Sequence, residues 1–252
     1  MRTFTSNIQK GGALLDDARR VVEVWDLNQD ATWNLARISE QNLLAKATRA
    51  RADDVLLRVL RPRLVEPGPQ VIAALKQLLP SPRGFTDAYY FEATQDDALL
   101  AAFAEGQLFE WWEGGRVGVD VESVGAWLAD LAERGETPRW TETIRTKVAR
   151  GLLAALRDFG ILTGAVRKEF SPPSLSIAGF GYVAFRLHAD GSSSRALFAS
   201  PVWRRWLLDP ARVTELFHEA ERQGLLRYSS AGTAVRVDWL QDTLSEVVCA
   251  VA

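Results

Sequence analysis

Apolar residues recur at helical spacing through the first half of the chain, and this periodicity constrains the fold more than any other feature. Between Gly12 and about Trp112, the side chains that share one helical face follow one another three or four positions apart. The clearest stripes are Leu14, Leu15, Ala18, Val21, Val22 and Trp25, and then Val55, Leu56, Val59 and Leu60. Proline- and glycine-rich breaks separate the segments. The pattern predicts a bundle of five or six helices over residues 1–115.

The pattern changes after residue 115 and indicates two winged-helix-like units. Residues 116–173 contain a short β-like stretch, a helix over about 121–134, a second helix and a short ribbon, which is the order of a winged helix-turn-helix. Residues 174–252 repeat that order and end in "LLRYSSAGTAVRVDW", which predicts a β-hairpin. We therefore expect a mainly α fold, with an N-terminal helical bundle followed by two winged-helix-like units with short β-hairpins.

Composition indicates a soluble protein of the cytoplasm. The chain has 252 residues, and 47% of them are hydrophobic, which is enough for a sizeable core. No run reaches the roughly 18 apolar residues that a membrane span needs, and the first residues contain no apolar signal segment. The single cysteine, Cys249, cannot form an internal disulfide, as is usual in a reducing compartment. We expect a cytoplasmic protein without a membrane partner.

The residue types that catalysis or metal binding needs do not form a motif. His188 and His218 lie in different predicted helices, and neither belongs to a Ser-His-Asp or metal-binding pattern. The stretch "GFGYVA" at 179–184 matches a dinucleotide-binding glycine pattern, but no suitable strand precedes it, so we interpret its glycines as packing residues. We expect no enzymatic activity, no cofactor, no metal and no small-molecule substrate.

Positive charge is concentrated in two windows of an otherwise acidic chain, whose net charge is −2. Residues 46–63 contain six basic and two acidic residues, and residues 139–157 contain five basic and one acidic residue, so each window carries +4. The rest of the chain therefore carries −10. A polyanion would be bound at one of these windows rather than by the protein as a whole.

The helix predicted over residues 140–157 separates an apolar stripe from a basic face. At 100° per residue, an apolar stripe runs from Ile144 to Phe159, while Leu153 is expected to point outward. The polar side carries the candidate DNA-binding residues Arg139, Thr143, Thr146, Lys147, Arg150 and Arg157. Glu142 stands three residues before Arg145, whereas Lys147, Arg150 and Arg157 have no acid at helical spacing. Such a face is typical of a recognition helix, although a solvated or protein-binding face has the same pattern.

A second basic face is a weaker candidate for phosphate contact. Arg51, Arg58 and Arg61 share the solvent side of their helix, but Asp54 stands four residues before Arg58 and is expected to pair with it. The helix predicted over 211–223 carries more acids than bases, so we expect a structural or partner-docking role for the C-terminal unit.

Several segments occur in a characteristic order over almost the whole chain. They are "TSNIQKGGALLDDARRVVEVW", "NLLAKATRARADDVLLRVLRPRL", "WTETIRTKVARGLLAALRDFGIL", the "PP" at 172–173 and "GLLRYSSAGTAVRVDW". Together they resemble the BrxA family of BREX (bacteriophage exclusion) systems. The resemblance implies a small, non-enzymatic, cytoplasmic component of a bacterial anti-phage system, associated with DNA binding. The family's basic helix corresponds here to Thr143, Thr146, Lys147 and Arg150.

The charge pattern and the resemblance lead to one expectation and two alternatives. We expect a DNA-binding component of a BREX system that contacts the phosphates of double-stranded DNA through the 140–157 helix and associates with other BREX proteins. One alternative is a protein scaffold whose basic faces dock acidic surfaces within the defence complex. The other is an RNA-binding factor, because the family has also been compared with NusB-like antitermination factors.

Overall fold

The computed structural model describes residues 4–232 and 234–251, which form mainly helices and two small antiparallel sheets, so the expected mainly α fold is confirmed. The α-helices are α1 (Ile8–Gly11), α2 (Leu15–Val24), α3 (Ala31–Glu40), α4 (Arg49–Val55), α5 (Arg61–Leu64), α6 (Pro69–Gln77), α7 (Pro82–Asp96), α8 (Ala98–Ala102), α9 (Phe109–Glu113), α10 (Val121–Glu133), α11 (Glu142–Asp158), α12 (Ile177–Ala189), α13 (Ser194–Phe198), α14 (Pro210–Arg222) and α15 (Leu244–Cys249). The strands are β1 (Gly118–Val119), β2 (Leu162–Thr163), β3 (Lys168–Phe170), β4 (Leu226–Ala231) and β5 (Ala234–Trp239). Two π-helical segments (Leu56–Leu60 and Phe103–Leu108) and a 3-10 segment (Pro201–Trp206) complete these elements. None of the helices within the described ranges combines the length and the apolar character that a membrane crossing requires.

Most helices begin directly after a residue whose side-chain oxygen accepts a hydrogen bond from a backbone N–H of the first turn. The capping residues are Asp30, Thr48, Asp97, Asp120, Thr141, Ser176, Ser193, Asp209 and Thr243. Each such cap satisfies a donor that the helix itself leaves unpaired and stabilises the helix by about 1 kcal/mol. The start of each of these helices is therefore encoded locally.

Two compact units are interleaved along the sequence. The first unit comprises the residues up to Leu14, Ala93–Ser174 and Pro201–Leu208, and the second comprises Leu15–Glu92, Leu175–Ser200 and the residues from Asp209 onward. The sequence predicts three domains, at residues 1–115, 116–173 and 174–252. That division remains a prediction.

In the first unit, helices α10 and α11 pack against each other, and the three short strands form an antiparallel sheet in the order β1-β3-β2. Glu169, in the central strand, pairs with Gly118 on one side and with Thr163 on the other. A Cβ at Gly118 would lie 2.8 Å from the carbonyl oxygen of Lys168, so this close approach of two strands requires glycine. Helix α1 packs on α11, where a Cβ at Gly151 would lie 3.0 Å from the Ile8 carbonyl oxygen.

In the second unit, α12 is largely buried and packs against α14 and α15. Its two glycines allow this packing. A Cβ at Gly179 would lie 2.4 Å from the Cβ of Asp87, and one at Gly181 would lie 3.1 Å from a methyl group of Leu225. The interpretation of these glycines as packing residues is consistent with this geometry. The Asp87 carboxylate also accepts hydrogen bonds from the backbone and hydroxyl of Ser176, which caps α12.

A β-hairpin follows α14 in the second unit, as predicted. Strands β4 and β5 are paired in register from Leu226↔Trp239 to Ala231↔Ala234, and Thr233, at the turn, lies outside the described residues. The ring of Tyr228 on β4 stacks on Phe217 of α14, with ring centroids 5.1 Å apart, so the hairpin is attached to the helix that precedes it.

Candidate nucleic-acid interface

Helix α11 carries the predicted basic face, and its position in the first unit is set by a cap and an apolar stripe. The hydroxyl of Thr141 accepts a hydrogen bond from the Ile144 backbone N–H at 3.4 Å, which fixes the start of the helix. Within the stripe, Val148, Leu152 and Ala155 are completely buried, and Ile144, in the first turn, is half-buried. Burial of these side chains fixes the rotation of α11 about its axis and therefore decides which residues face water.

The opposite side of α11 is exposed and positively charged. Arg139, just before the helix, and Thr143, Lys147 and Arg150 are exposed, while Thr146 is half-buried. Within the described parts of the chain, no carboxylate oxygen lies within 4 Å of the side-chain nitrogens of Arg139, Lys147 or Arg150. Lys147 and Arg150 are one helical turn apart, so their like charges repel slightly in the free protein. An anion bound between them would remove that repulsion.

Two expectations about the charges of α11 were wrong. Arg157 is exposed, but its guanidinium is paired with Asp158, with Nη2 2.6 Å and Nε 3.0 Å from the same carboxylate oxygen. Asp158 is the next residue in the chain, so this pair lies outside the three- or four-residue spacing of helical ion pairs. Conversely, Arg145 and Glu142 do not form the expected ion pair, since their charged groups lie more than 4 Å apart. The free cations of the helix are therefore concentrated in its first half.

Leu153, which points away from the apolar stripe on a helical wheel and could rest on a neighbouring element, is only 3% exposed and is therefore covered. A helical wheel shows which residues share a face, but it does not show how many faces are covered. In the structure α11 contacts α10, β2 and also α1, so its buried surface is wider than one stripe. The basic face is correspondingly narrower and runs from Thr143 through Lys147 to Arg150.

A shallow groove of about 590 Å³ lies between α10 and the start of α11. Its floor on α10 is made of small side chains, including Gly125, Ala126 and Ala129, and α11 contributes Arg145 and Thr146. Glu122 and Glu142 also line the groove, so its charge is mixed, and Thr146 is half-buried at its edge beside the basic face. A ligand that covers Lys147 and Arg150 can therefore reach Thr146 as well.

The second predicted basic face, residues 46–63, lies in the second unit and is largely neutralised. Lys46 pairs with Asp17 at 2.6 Å, Arg49 with Asp53 at 3.8 Å, Arg51 and Arg58 both with Asp54 at 3.2 and 3.4 Å, and Arg61 with Glu66 at 3.4 Å. The expected pairing of Asp54 with Arg58 is confirmed. Arg63 does not face solvent at all, because it is buried at 3% exposure with its guanidinium 3.4 Å from the Tyr89 hydroxyl. The three candidate residues of this face are exposed, but a carboxylate within 4 Å offsets the charge of each guanidinium: Arg51, Arg58 and Arg61.

The C-terminal helix and hairpin are similarly balanced. Arg212 pairs with Glu215 on α14, and Arg236 pairs with Asp238 at 2.7 Å on β5. These pairs leave α14 and β5 without a continuous positive surface, in keeping with the expected structural or docking role.

The two histidines lie in different surroundings. The imidazole of His188 packs against Phe185 and Trp239, and His218 lies 4.0 Å from a Glu221 carboxylate oxygen. Within the described ranges, no group of three His, Cys, Asp or Glu side chains has the geometry of a metal site.

A buried ionic cluster in the second unit was not foreseen from the sequence. The carboxylate of Glu92 on α7 is fully buried and accepts hydrogen bonds from the Tyr182 hydroxyl at 2.7 Å and the Arg186 Nε at 3.0 Å, both from α12. Desolvation raises the pKa of Glu92, and the nearby Arg186 opposes that rise. Burial likewise raises the pKa of Tyr182 well above its usual value. Glu92 is separated from both partners by about 90 positions in the chain, so no local pattern connects them.

Comparisons with known proteins place the chain in a family and a fold. A family model described as BrxA matches residues 2–186, which is more than half of the chain. The crystal structure of an uncharacterized protein from Magnetospirillum magneticum is similar, with a TM-score of 0.63 and 17% sequence identity, over 81% of this chain and 98% of that one. At that identity the likeness concerns the fold alone. The comparison with curated proteins found no match.

Proposed function

The chain belongs to the BrxA family, whose membership implies a function associated with BREX anti-phage defence, and on that premise we propose that it is a non-enzymatic, cytoplasmic, double-stranded-DNA-binding component of such a system. Contact is made through α11, mainly to phosphates. The observation that carries the proposal is the exposed pair of Lys147 and Arg150, which have no carboxylate within 4 Å among the described residues. On the second basic face, by contrast, Arg58 and Arg61 each have a carboxylate within 4 Å that offsets their charge.

The elements around α11 support a winged-helix assignment for residues 116–173. Helix α10, a short turn, α11 and the strands β2 and β3 follow in the order of a winged helix-turn-helix, and α11 takes the place of the recognition helix. In that arrangement the N-terminal half of the helix enters the major groove. Thr143, Thr146, Lys147 and Arg150 all lie in that half of α11, so hydroxyls and cations are placed together where base edges and phosphates would lie. We assign residues 174–252 to a second unit of the same kind.

Phosphates are the natural ligands of this face because it offers few groups able to distinguish bases. A helix with one free lysine and one free arginine binds DNA by charge, and such binding releases counterions and weakens steeply as salt rises. We therefore expect low sequence preference. Arg139 adds charge at the start of the helix and Arg157 contributes less, because Asp158 neutralises it.

Arg51, Arg58 and Arg61 are secondary candidates in this proposal. Each is exposed, but Asp54 and Glu66 lie within 4 Å of their guanidinium groups. Phosphate binding there would have to compete with these carboxylates. We expect their contribution to be smaller than that of Lys147 and Arg150.

Fluorescence anisotropy of a labelled duplex with the full chain tests the proposal. The double variant Lys147→Glu/Arg150→Glu should bind at least about tenfold more weakly and reduce the slope of log K against log salt by about two. The double variant Arg195→Glu/Arg222→Glu, at exposed positions of α13 and α14, makes the same charge change and should bind nearly as well as the wild type. Unchanged affinity in a folded Lys147→Glu/Arg150→Glu protein would reject α11 as the site.

A scaffold role is the second candidate, since the family implies association with other BREX proteins. The second unit has an apolar pocket of about 170 Å³ lined by Trp25, Leu27, Val65 and Ile72, and Leu27 is exposed. Pull-down of BREX proteins before and after nuclease treatment separates the two candidates, because a scaffold keeps its partners and a DNA-bridged complex loses them. Competition of the labelled duplex by unlabelled RNA tests the third, RNA-binding, alternative.

A further inference from the structure

A small apolar pocket lies in the second unit, where the loop between α2 and α3 meets the start of α6. It has a volume of about 170 Å³ and is lined mainly by the side chains of Trp25, Leu27, Val65, Pro69 and Ile72. Trp25 and Ile72 are almost fully buried, whereas Leu27 is 53% exposed, so the pocket is closed on one side and open to solvent on the other. A cavity of about 150 Å³ holds one benzene ring, so this pocket has room for one large apolar side chain.

The loop that forms one side of the pocket is held in place by hydrogen bonds from side chains. The carboxamide of Asn34, which is completely buried, accepts a hydrogen bond from the Asp26 N–H at 2.9 Å and donates to the carbonyl oxygens of Asp26 and Asp30 at 2.9 and 3.1 Å. The ammonium group of Lys76 donates to three carbonyl oxygens at the end of α2 and just after it, including that of Trp25 at 2.7 Å. The pocket is therefore preformed, and a ligand does not have to order the loop in order to bind.

The charge at the pocket is negative. Asp30 is the one charged residue among the described residues that line it. Its carboxylate caps α3 by accepting a hydrogen bond from the Trp33 N–H at 2.8 Å. No lysine or arginine nitrogen of the described chain lies within 4 Å of the Asp30 carboxylate, or of the carboxylate of Asp26 in the same loop. A cation beside a bound apolar group therefore meets a carboxylate that has no other cationic partner.

The two helix starts beside the pocket are poor sites for an anion. At α3 the negative charge of Asp30 already lies at the first turn. At α6 the first helical residue is Pro69, which has no N–H, and the Val71 N–H is bonded to the Gly68 carbonyl oxygen at 3.1 Å. A carboxylate or phosphate would be repelled by Asp30, so the charged part of a ligand for this pocket is a cation.

We propose that this pocket is the docking site for a segment of a partner protein, which inserts one large apolar side chain and pairs a neighbouring arginine or lysine with Asp30. Burial of the apolar side chain supplies most of the affinity, because an exposed ion pair contributes little. The carboxylate supplies the preference for a basic segment. The inference goes beyond the proposed DNA binding by α11 and does not depend on it, and it gives the scaffold candidate a site and a partner chemistry.

The test measures binding of two tetrapeptides to the full chain through the amide chemical shifts in NMR spectra. The peptides Ac-Gly-Phe-Arg-Gly-NH2 and Ac-Gly-Phe-Glu-Gly-NH2 differ only in the residue that follows the aromatic ring. The arginine peptide should bind at least about threefold more tightly and shift the amides of residues 25–31. Ala31→Phe, at a half-buried residue that lines the pocket, fills the pocket with a ring and should abolish binding of both peptides.

Two further variants separate the charge of Asp30 from its role as a helix cap. Asp30→Asn removes the charge, but asparagine caps a helix about as well as aspartate does, so α3 should stay intact. The two peptides should then bind within about twofold of each other. Asp209→Asn makes the same change at the cap of α14, which does not line the pocket, and should keep the preference of the wild type for the arginine peptide.

The outcomes for the pocket and for α11 are distinguishable. Binding of neither peptide by the wild type, equal or tighter binding of the glutamate peptide, or unchanged binding by a folded Ala31→Phe protein overturns the docking site. A preference for arginine that persists in Asp30→Asn overturns the pairing with Asp30. Lys147→Glu/Arg150→Glu should bind the arginine peptide as the wild type does, whether or not α11 binds DNA. Circular dichroism checks that the variants fold.

Discussion

The guanidinium of Arg157 is 2.6 Å from the carboxylate of Asp158, so the basic face of α11 ends in a neutralised pair. Arg150, two turns earlier on the same face, has no such partner in the described residues. The two arginines would look equivalent on a helical wheel, but only one presents an uncompensated charge. The first half of the face therefore carries uncompensated positive charge, whereas the charge at its end is offset by an acid. Binding measurements can test this difference.

Removal of the acid should strengthen binding. Asp158→Asn frees the Arg157 guanidinium, and we expect about threefold tighter binding to a duplex and a salt slope steeper by about one. The measurement is anisotropy at several salt concentrations. Asp130→Asn, at an exposed acid of α10, is the matched control and should change the slope by much less. Identical behaviour of the two variants would show that Arg157 does not face DNA.

The two basic faces should differ in their sensitivity to single substitutions. Arg150→Ala is expected to weaken duplex binding about tenfold and to reduce the salt slope by about one, since it removes a free cation. Arg58→Ala should weaken binding less than about threefold, because Asp54 lies 3.4 Å from that guanidinium and already offsets its charge. A larger effect of Arg58→Ala would identify the second unit as the main DNA-binding surface.

The buried carboxyl of Glu92 should make stability depend on pH. Its pKa is raised in the folded protein, so the stability it contributes is fully present below the unfolded value of 4.5 and is lost as the pH rises through the folded pKa. Glu92→Gln carries no titrating group. The free energy of unfolding of the wild type should therefore fall relative to that of Glu92→Gln as the pH is raised from below 4.5 toward neutrality.

Urea unfolding of both proteins across that pH range measures the difference. Arg186 and Asp190 are the charged groups that shift the pKa of Glu92. The variant Arg186→Gln shows how far the guanidinium limits the rise of that pKa. A difference in unfolding free energy that does not change with pH would mean that Glu92 titrates as in the unfolded chain.

The helical glycines should respond in opposite directions to alanine. Gly179→Ala would place a Cβ 2.4 Å from the Cβ of Asp87, and we expect overpacking to destabilise the protein by about 1–3 kcal/mol. A Cβ at Gly125, inside α10, would meet no atom of the described chain within 4 Å, so Gly125→Ala should stabilise by about 0.5–1 kcal/mol through reduced freedom of the unfolded chain. Thermal unfolding followed by circular dichroism compares the two. Stabilisation by Gly179→Ala would contradict the tight packing of α12.

Helix α11 shows how far local reasoning extends. A helix over about 140–157, its apolar stripe and its exposed Lys147 and Arg150 all follow from relations between residues a few positions apart, and the structure agrees with each. The pairing of Arg157 with Asp158 is equally local, but the two residues are adjacent in the chain and so lie outside the three- or four-residue spacing of helical ion pairs. The β4–β5 hairpin was predicted for the same kind of reason, since alternation and turn residues are local signals.

The periodicity and capping residues of the sequence were enough to determine a mainly helical protein, the rotation of its basic helix and the existence of two clusters of cations. Only the tertiary structure decided which cations remain free. In the folded chain Leu153 is buried, and the ammonium group of Lys168 donates a hydrogen bond within the turn that contains Val166. Lys46 pairs with Asp17, which lies in a distant part of the sequence. The physical reason is that local structure depends on neighbours within about one helical turn, whereas the partner of a charge depends on how distant segments pack.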